Sequence, residues 1–312
     1  MNKTKPLIGI LATPYIKNNI SNEIFLKEKV IDFLKEYSLD HIIIPYTIKK
    51  FELNKILPTL NGFIFPGSQR GNLYHTKFIK QHFLIQKYIV KKIKILAHNN
   101  NIIPIISMCH GHENMILIEK NYNITKKNIK KTFLNVHSYN DYKTIPKFKN
   151  SKLGRLFKSK FNKTTKMIHN NALALNSKKK IKNYEIVATN LDKNNIEFID
   201  IIKHKKYPFF GYQGHPEVDN TKLFHPFISS VYENFNKKQL NKNNKNSKNS
   251  KNNKNNKNNK KYNSFKFIKL KSRKVSCKKY KLSLTTKYGK CLFYKTSTRK
   301  QFTKERKNKN NK

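Results

Sequence analysis

The sequence predicts an α/β fold with a mainly parallel central sheet over residues 1–236, and two observations predict it. Short apolar runs typical of buried strands alternate along the chain with segments whose apolar residues recur at helical spacing. The chain of 312 residues is also long enough to bury a full hydrophobic core. Its three cysteines, at 109, 277 and 291, have neither disulfide-framework nor zinc-ligand spacing, so no cross-links or metals are needed to explain folding.

The first half of this region contains four predicted strands and three predicted helices. Continuous apolar runs indicate the strands, and apolar residues three or four positions apart indicate the helices. Asn61-Gly62 is a helix-stop signal, because glycine readily adopts the backbone conformation that ends a helix. The predicted strands are Leu7–Ala12, His41–Pro45, Gly62–Phe65 and Ile102–Ser107, and the predicted helices are Glu23–Tyr37, Phe51–Leu60 and His75–Ala97.

The second half of the region has a more antiparallel character. Segments rich in β-branched and aromatic residues predict strands at Tyr184–Thr189, Ile196–Ile202 and Phe209–Tyr212. Asp192–Asn195 predicts the turn between the first two, since Asp and Asn side chains favour turns. Thr221–Phe235 is then predicted to be a closing helix.

Positive charge is concentrated at the C-terminal end. The formal net charge is +50, and residues 237–312 hold 28 Lys/Arg against one acid, whereas residues 1–236 hold 39 against 16. Residues 237–261, a Lys/Asn-rich tract, are predicted to be a disordered linker because they bury too little apolar surface to offset chain entropy. Residues 262–312 are predicted to be a basic extension, with a hairpin around Tyr288–Lys290.

Composition also bounds location and partners. No stretch reaches the roughly 18 apolar residues of a membrane-spanning helix, and Leu7–Ala12 is too short for the core of a signal peptide. We therefore expect a soluble, cytoplasmic protein without a membrane partner. Clustered lysines with few acids bind polyanions without sequence preference, so weak polyanion binding by the tail is a further expectation.

Ser107-Met108-Cys109-His110-Gly111 lies where the fourth strand ends and a helical pattern begins. A sharp turn of this form lifts the thiol out of the sheet and directs helix N–H groups towards it. The helix N-terminus is expected to lower the thiol pKa below its usual value of about 8.5, which favours the nucleophilic thiolate. Cys109 is therefore the candidate nucleophile, and a buried structural cysteine is the alternative.

Two other strand ends supply candidate partners for this thiol. After the last predicted strand, His215 can act as a general base, and Glu217, two residues later across a proline, can orient its imidazole. Gly67 and Ser68, in the turn after the third strand, can present backbone N–H groups to a developing oxyanion, joined by the N–H of His110.

These three strand ends together resemble the class I glutamine amidotransferase superfamily, whose nucleophile elbows read G-x-C-x-G and whose base lies in an H-P-E stretch. Within it, the sequence is most similar to the γ-glutamyl hydrolase family, peptidase C26. Leu60–Gly67 resembles the family's INGILFPGG, and Tyr184–Glu217 resembles the family from a TTNTDG turn to YPVYGVQWHPE. The resemblance covers about residues 6–235, and the 106 residues from nucleophile to base suit the family.

The resemblance implies a flavodoxin-like three-layer sandwich and a cysteine-dependent hydrolase of γ-glutamyl bonds. Folylpoly-γ-glutamates or related amides would be cleaved through a thioester intermediate, without cofactor or metal. Whether the chain forms a homodimer, as relatives do, stays open. Cys109, His215 and Glu217 would be catalytic, with the oxyanion hole as above. The substrate-binding set would be Glu113, His169 and Gln213.

The sequence departs from the family pattern in the pocket lining. Ser68 stands where the family has a second glycine, His110 where it has leucine, and Gly214 where it has tryptophan. Two alternatives stay open at this stage. One is a glutaminase that delivers ammonia to a synthetase, which would need a partner domain, and the other is a pseudoenzyme that binds polyanions through its basic tail.

Overall fold

Strands and helices alternate through the computed structural model, which describes residues 4–17, 20–68, 76–135, 142–161, 165–167, 171–175, 181–219, 221–252 and 291–295. The first elements are β1 (Leu7–Leu11), β2 (Thr13–Lys17), β3 (Ile20–Lys27), α1 (Glu28–Glu36), β4 (Asp40–Ile44), α2 (Lys50–Ile56), β5 (Gly62–Phe65), α3 (Lys77–His98), β6 (Ile105–Met108), α4 (His110–Glu119) and α5 (Lys126–Thr132). They are followed by β7 (Phe133–Asn135), β8 (Tyr142–Thr144), β9 (Lys147–Phe148), α6 (Lys152–Lys160), β10 (Thr165–Met167), β11 (Asn171–Ala174), β12 (Tyr184–Leu191), β13 (Glu197–His204), β14 (Phe209–Tyr212), α7 (Pro216–Asp219), α8 (His225–Asn252) and β15 (Cys291–Lys295). Short 3₁₀ turns at Leu57–Thr59 and Thr221–Phe224 precede β5 and α8.

Five parallel strands in the order β4-β1-β5-β6-β14 form the centre of the main sheet. When these five strands are numbered 1 to 5 in the order in which they occur along the chain, the sheet has the strand order 2-1-3-4-5 of flavodoxin-like folds. An antiparallel extension of β13, β12, β11, β9 and β7 continues the sheet beyond β14. The predicted α/β class with a mainly parallel sheet is therefore confirmed.

The sheet buries both of its faces, because side chains alternate along each strand. On β5, Ile64 packs in the core beneath α1 and α8, whereas Phe63 and Phe65 pack in the core beneath α2 and α3. On β6, Ile106 and Ile105 divide between the same two cores. The molecule is thus a three-layer sandwich, and no described helix is long and apolar enough to cross a membrane.

The predicted helix Glu23–Tyr37 is wrong in its first part. Residues up to Lys27 form β3, which pairs antiparallel with β2, and α1 begins only at Glu28. The consecutive residues Ile24, Phe25 and Leu26 are all buried. Hydrogen bonds to β2 therefore override the helical spacing of these residues, since propensity is only a weak prior against tertiary pairing.

The predicted strand Ile102–Ser107 is displaced by the structure. It begins at Ile105, because Pro104 has no N–H to give to the ladder, although its carbonyl accepts from the N–H of Phe63. The strand extends to Met108, so that the residue after it is Cys109.

The predicted disorder from residue 237 is wrong as far as Asn252, where α8 ends. The ammonium of Lys238 donates to the carbonyls of Pro58 and Leu60, and Gln239 contacts Thr4. These contacts hold α8 against the α/β domain. Once a helix is nucleated, each further residue adds one backbone hydrogen bond, so α8 can extend into the Lys/Asn-rich tract. Residues 253–261 lie outside the described residues, and the domain boundary at 236/237 stays a prediction.

The basic extension is described only at β15, and the predicted hairpin around Tyr288–Lys290 lies outside the described residues. β15 pairs antiparallel with β3, with Cys291 opposite Lys27. The extension therefore contributes a strand beside the N-terminal β2–β3 hairpin, and the composition of the extension does not indicate this pairing with β3.

Replacing Lys238 with methionine is expected to destabilise the attachment of α8. The variant loses two hydrogen bonds, from the ammonium of Lys238 to the carbonyls of Pro58 and Leu60 just before β5. We expect this loss to lower the free energy of unfolding by about 1–2 kcal/mol. Urea denaturation followed by circular dichroism measures this. Lys237→Met is the matched control, because Lys237 is exposed; equal destabilisation by both variants would contradict the anchoring role.

Candidate active site

Three adjacent strands bring the candidate catalytic residues together. β6 lies between β5 and β14, with Ser107 opposite Phe65 on one side and Met108 opposite Tyr212 on the other. The turns that follow these strands therefore open at the same edge of the sheet. Ligand sites of open α/β sheets lie at this carboxyl edge.

Cys109 occupies a strained turn between β6 and α4. Its φ of 48° lies in the left-handed region, which L residues other than glycine, Asn and Asp rarely adopt. The backbone is held there because the N–H of Cys109 donates to the carbonyl of Tyr212 at 2.8 Å and its carbonyl accepts from Glu113 at 2.9 Å. Gly111 allows α4 to pack closely, since a Cβ at that position would lie 2.3 Å from the carbonyl oxygen of Phe65. The backbone therefore makes the sharp strand-to-helix turn that the sequence predicts at Cys109.

His215 and Glu217 form a buried pair. Nδ1 of His215 and Oε1 of Glu217 are 2.8 Å apart, and the two residues are 1% and 2% exposed. When Nδ1 carries the proton and donates it to the carboxylate, the lone pair of the imidazole lies on Nε2. That is the tautomer which a general base needs.

Gly67 lies against both His215 and Cys109. A Cβ built on this glycine would lie 2.8 Å from Cε1 of His215, 3.2 Å from Cβ of Cys109 and 3.7 Å from its Sγ. The imidazole and the thiol are therefore neighbours across the glycine. The predicted oxyanion turn, which continues into the partly exposed Ser68, flanks them both.

The thiol does not have the low pKa that the helix N-terminus predicts. Burial and, after it, the carboxylate of Glu113 raise the pKa of Cys109 to about 12. The ammonium of Lys27 and a hydrogen bond from the N–H of His110 lower it, but they do not compensate. The resting thiol is therefore protonated, and a neighbouring base must accept its proton before it can attack.

Glu217 is ionised in spite of its burial. Burial by itself raises the pKa of this carboxyl group, but the charges of His215 and Lys27 and the hydrogen bond from His215 outweigh it, so that the pKa lies below its usual value. Lys27, at the end of β3, is a site residue that sequence reasoning missed. It lies in a segment where the spacing predicts a helix.

A second missed group supports the loop that carries His215. The main-chain carbonyl of Asp200 accepts from the N–H of Gln213 at 2.8 Å, and its buried carboxyl accepts from Nδ2 of Asn190 at 3.0 Å. The backbone N–H groups of Gly214 and Gln213 also favour the ionised carboxyl. Burial raises the pKa of Asp200 to about 6. These contacts lie between β12, β13 and the loop after β14, and nothing in the local sequence around Asp200 signals them.

The predicted substrate-binding residues are placed in part. Glu113 and Gln213 are buried behind the elbow, where Nε2 of Gln213 lies 3.4 Å from Oε1 of Glu113. His169 lies outside the described residues. The role of all three in substrate binding stays a prediction.

Alkylation of Cys109 by iodoacetamide is expected to accelerate well into the alkaline range. A thiol whose pKa is raised to about 12 gains thiolate with each step in pH, whereas an unfolded thiol near 8.5 reaches its plateau earlier. Mass spectrometry of the labelled peptide between about pH 6 and 11 measures the rate, with the urea-unfolded chain as reference. A native rate that is already maximal near pH 7 would contradict the raised pKa.

The fold and the residues at its strand ends define a member of the class I glutamine amidotransferase-like superfamily. A family model described as Peptidase C26 matches residues 6–217, and the chain belongs to this family.

Two curated relatives share less than a quarter of their aligned residues with this chain. The chain is 24% identical over 230 residues to "Gamma-glutamyl hydrolase B" of Dictyostelium discoideum, an alignment that covers 68% of this chain and 62% of the relative. It is 23% identical over 220 residues to "Gamma-glutamyl hydrolase" of Bos taurus, covering 68% of this chain and 67% of the relative. The chain thus spans less than two-thirds of the Dictyostelium protein.

A solved structure has the same fold. A protein of Thermoplasma acidophilum described as a GMP synthase subunit superposes with a TM-score of 0.50 at 16% identity, covering 76% of this chain and all of that one. At this identity the similarity establishes the fold alone.

Proposed function

We propose that this protein is a cysteine-dependent hydrolase of γ-glutamyl amide bonds, with Cys109 as nucleophile, His215 as general base and Glu217 as the residue that orients the base. The observation that carries the proposal is the meeting of an elbow cysteine and a carboxylate-bound histidine across Gly67. Membership of the Peptidase C26 family and the names of the two relatives support the γ-glutamyl substrate class.

The first half of the reaction follows from the protonation states. Nε2 of His215 takes the proton of the Cys109 thiol as Sγ attacks the carbonyl carbon of the γ-amide. The oxygen of that carbonyl becomes an oxyanion, which the N–H groups of His110 and the Gly67–Ser68 turn stabilise. The tetrahedral intermediate collapses as the amine leaves with the proton from His215, and a thioester of the γ-carboxyl group remains.

The second half regenerates the enzyme. Water attacks the thioester carbonyl while His215 accepts one of its protons, and collapse of this second intermediate expels the thiolate. The thiolate recovers the proton from the imidazolium, and the γ-carboxylic acid product leaves and loses its remaining proton to solvent. Glu217 stabilises the imidazolium in both halves and keeps Nε2 directed towards the reacting atoms.

The substrates we propose are folylpoly-γ-glutamates or related γ-glutamyl amides. The test is a panel of γ-glutamyl peptides, including a polyglutamylated folate, incubated with the wild-type protein and with Cys109→Ala. Release of glutamate by the wild type alone is the expected result. Free glutamine in the same panel tests the amidotransferase alternative: turnover of glutamine without turnover of any γ-glutamyl peptide would overturn the proposal.

A further inference from the structure

Glu217 is ionised although its side chain is buried away from water. Its side chain is 1% exposed, and its Oε2 atom has no hydrogen-bond partner within the described residues. A buried carboxylate is costly unless it is paired with an opposite charge, and otherwise it takes up a proton and becomes neutral. An imidazolium at His215 would supply such a charge, but the neutral imidazole that a general base needs supplies only a hydrogen bond.

Lys27 supplies the opposite charge. Its ammonium lies 3.8 Å from Oε1 of Glu217 and 3.2 Å from Nδ1 of His215. An ammonium can only donate, so Nδ1 cannot accept from Lys27 and also donate to Glu217. The carboxylate is the nearer of the two groups, at 2.8 Å, and would repel a lone pair on Nδ1, so we assign the proton to Nδ1 and pair the charge of Lys27 with Glu217. Within the described part of the chain, this is the only lysine or arginine paired with Glu217. Its side chain is 21% exposed, so the lysine is only partly desolvated and keeps part of its hydration.

We propose that Lys27 is the counter-ion of Glu217 and thereby a positioning residue that fixes the reactive tautomer of His215. The proposal rests on the proposed function, since it assigns a task within that same site. It adds a fourth group, from the N-terminal hairpin, to the three that the motifs indicate.

The protonation state of Glu217 decides which nitrogen of His215 carries the proton. An ionised Glu217 can only accept a hydrogen bond, so it holds His215 with a proton on Nδ1 and a lone pair on Nε2. A neutral carboxylic acid donates its proton to Nδ1 instead, which leaves the imidazole proton on Nε2. In that state His215 cannot accept the thiol proton of Cys109.

Lys27 also opposes premature protonation of His215. An unbalanced carboxylate beside His215 would favour the imidazolium before substrate arrives, and an imidazolium cannot accept a proton. With Lys27 in place, the Glu217–Lys27 pair is neutral overall, so the pair exerts little net attraction on a second imidazole proton. Besides Lys27, two charged groups shift the pKa of the Cys109 thiol, and both raise it: Glu113, on α4, and Glu217 itself.

The test uses the reactivity of Cys109 and needs no substrate. Full-length wild type, Lys27→Met, Lys27→Arg and Lys29→Met are alkylated with iodoacetamide at about pH 7.5, below the range in which a raised thiol ionises unaided. Lys29 is the matched control, because it is 51% exposed and pairs with Asp32. Lys27→Met should label Cys109 about tenfold more slowly, the effect of one pKa unit on the reactive fraction. Lys27→Arg and Lys29→Met should label it at close to the wild-type rate.

A double variant separates this role from a merely structural one. If Lys27 acts mainly through the charge of Glu217, then Lys27→Met should cause a much smaller loss in the Glu217→Gln background than in the wild type. The amide has no charge to balance, so only the direct effect of the ammonium on the thiol pKa remains there. Wild-type labelling of Lys27→Met, or additive losses in the double variant, would overturn the proposal.

Foldedness is checked by circular dichroism for each variant. Should Lys27→Met not fold, Lys27→Gln takes its place, and a failure of both while Lys27→Arg folds would overturn the proposal by showing that the charge serves folding. Because labelling involves no γ-glutamyl compound, a failure of the substrate panel leaves this result intact, and the two proposals fail separately.

Discussion

The variant His215→Gln is expected to remain folded and to lose hydrolysis by on the order of 10⁴-fold or more in kcat. The thiol of Cys109 has a pKa raised to about 12, so the thiolate is nearly absent at neutral pH unless a base takes its proton. Glutamine approximates the size of the imidazole but cannot accept a proton at Nε2. KM should change much less than kcat, because the base acts on the thiol rather than on the bound substrate.

Single-turnover kinetics with the best substrate of the panel measures this loss directly. His98→Gln is the matched control, since His98 is exposed at the end of α3. A His215→Gln protein that still forms the thioester within tenfold of the wild-type rate, as an order of magnitude, would show that another group accepts the proton.

Gly67→Ala is expected to lower kcat by about 10²-fold or more, the effect of a displacement of about 1 Å at the reacting atoms. The added Cβ would lie 2.8 Å from Cε1 of His215 and 3.2 Å from Cβ of Cys109, closer than atoms can approach without moving. The cysteine is fixed by its backbone hydrogen bonds and the histidine by Glu217, so any adjustment separates the thiol from its base.

Ser68→Ala is the control for this variant. A backbone N–H survives the change from serine to alanine, so a turn that acts through its N–H groups should keep most of its activity. The expected order is therefore a severe loss for Gly67→Ala and a mild one for Ser68→Ala, measured by kcat on the same substrate. The reverse order would mean that the Ser68 hydroxyl, rather than the turn, serves the reaction.

Short motifs predicted the central part of the site, because each lies at a strand end and encodes its own local geometry. Cys109 and His215 are 106 residues apart, and parallel pairing of β6 with β14 brings them together, as the alternation of strands and helices implies. Lys27 could not be found in this way. Its contacts with His215 and Glu217 depend on where β3 lies in space, and no local pattern records that.

The errors in the fold share this cause. Helical spacing between Glu23 and Lys27 was overridden by pairing with β2, and the composition of the tract after residue 236 was overridden by the anchoring of α8 through Lys238. The low thiol pKa expected at a helix N-terminus fails for a related reason. Burial outweighs the favourable N–H of His110, and burial is a property of the whole fold.

The position of β14 has a consequence for the order in which the protein becomes reactive. During synthesis Cys109 leaves the ribosome 106 residues before His215, its proposed base. β14 must then insert between β6 and β13, a pairing of distant segments whose loop-closure entropy makes it a late step of folding. Until that step Cys109 lacks the neighbour that we propose as its base, and closure of the sheet is the event that brings the proposed nucleophile and base together.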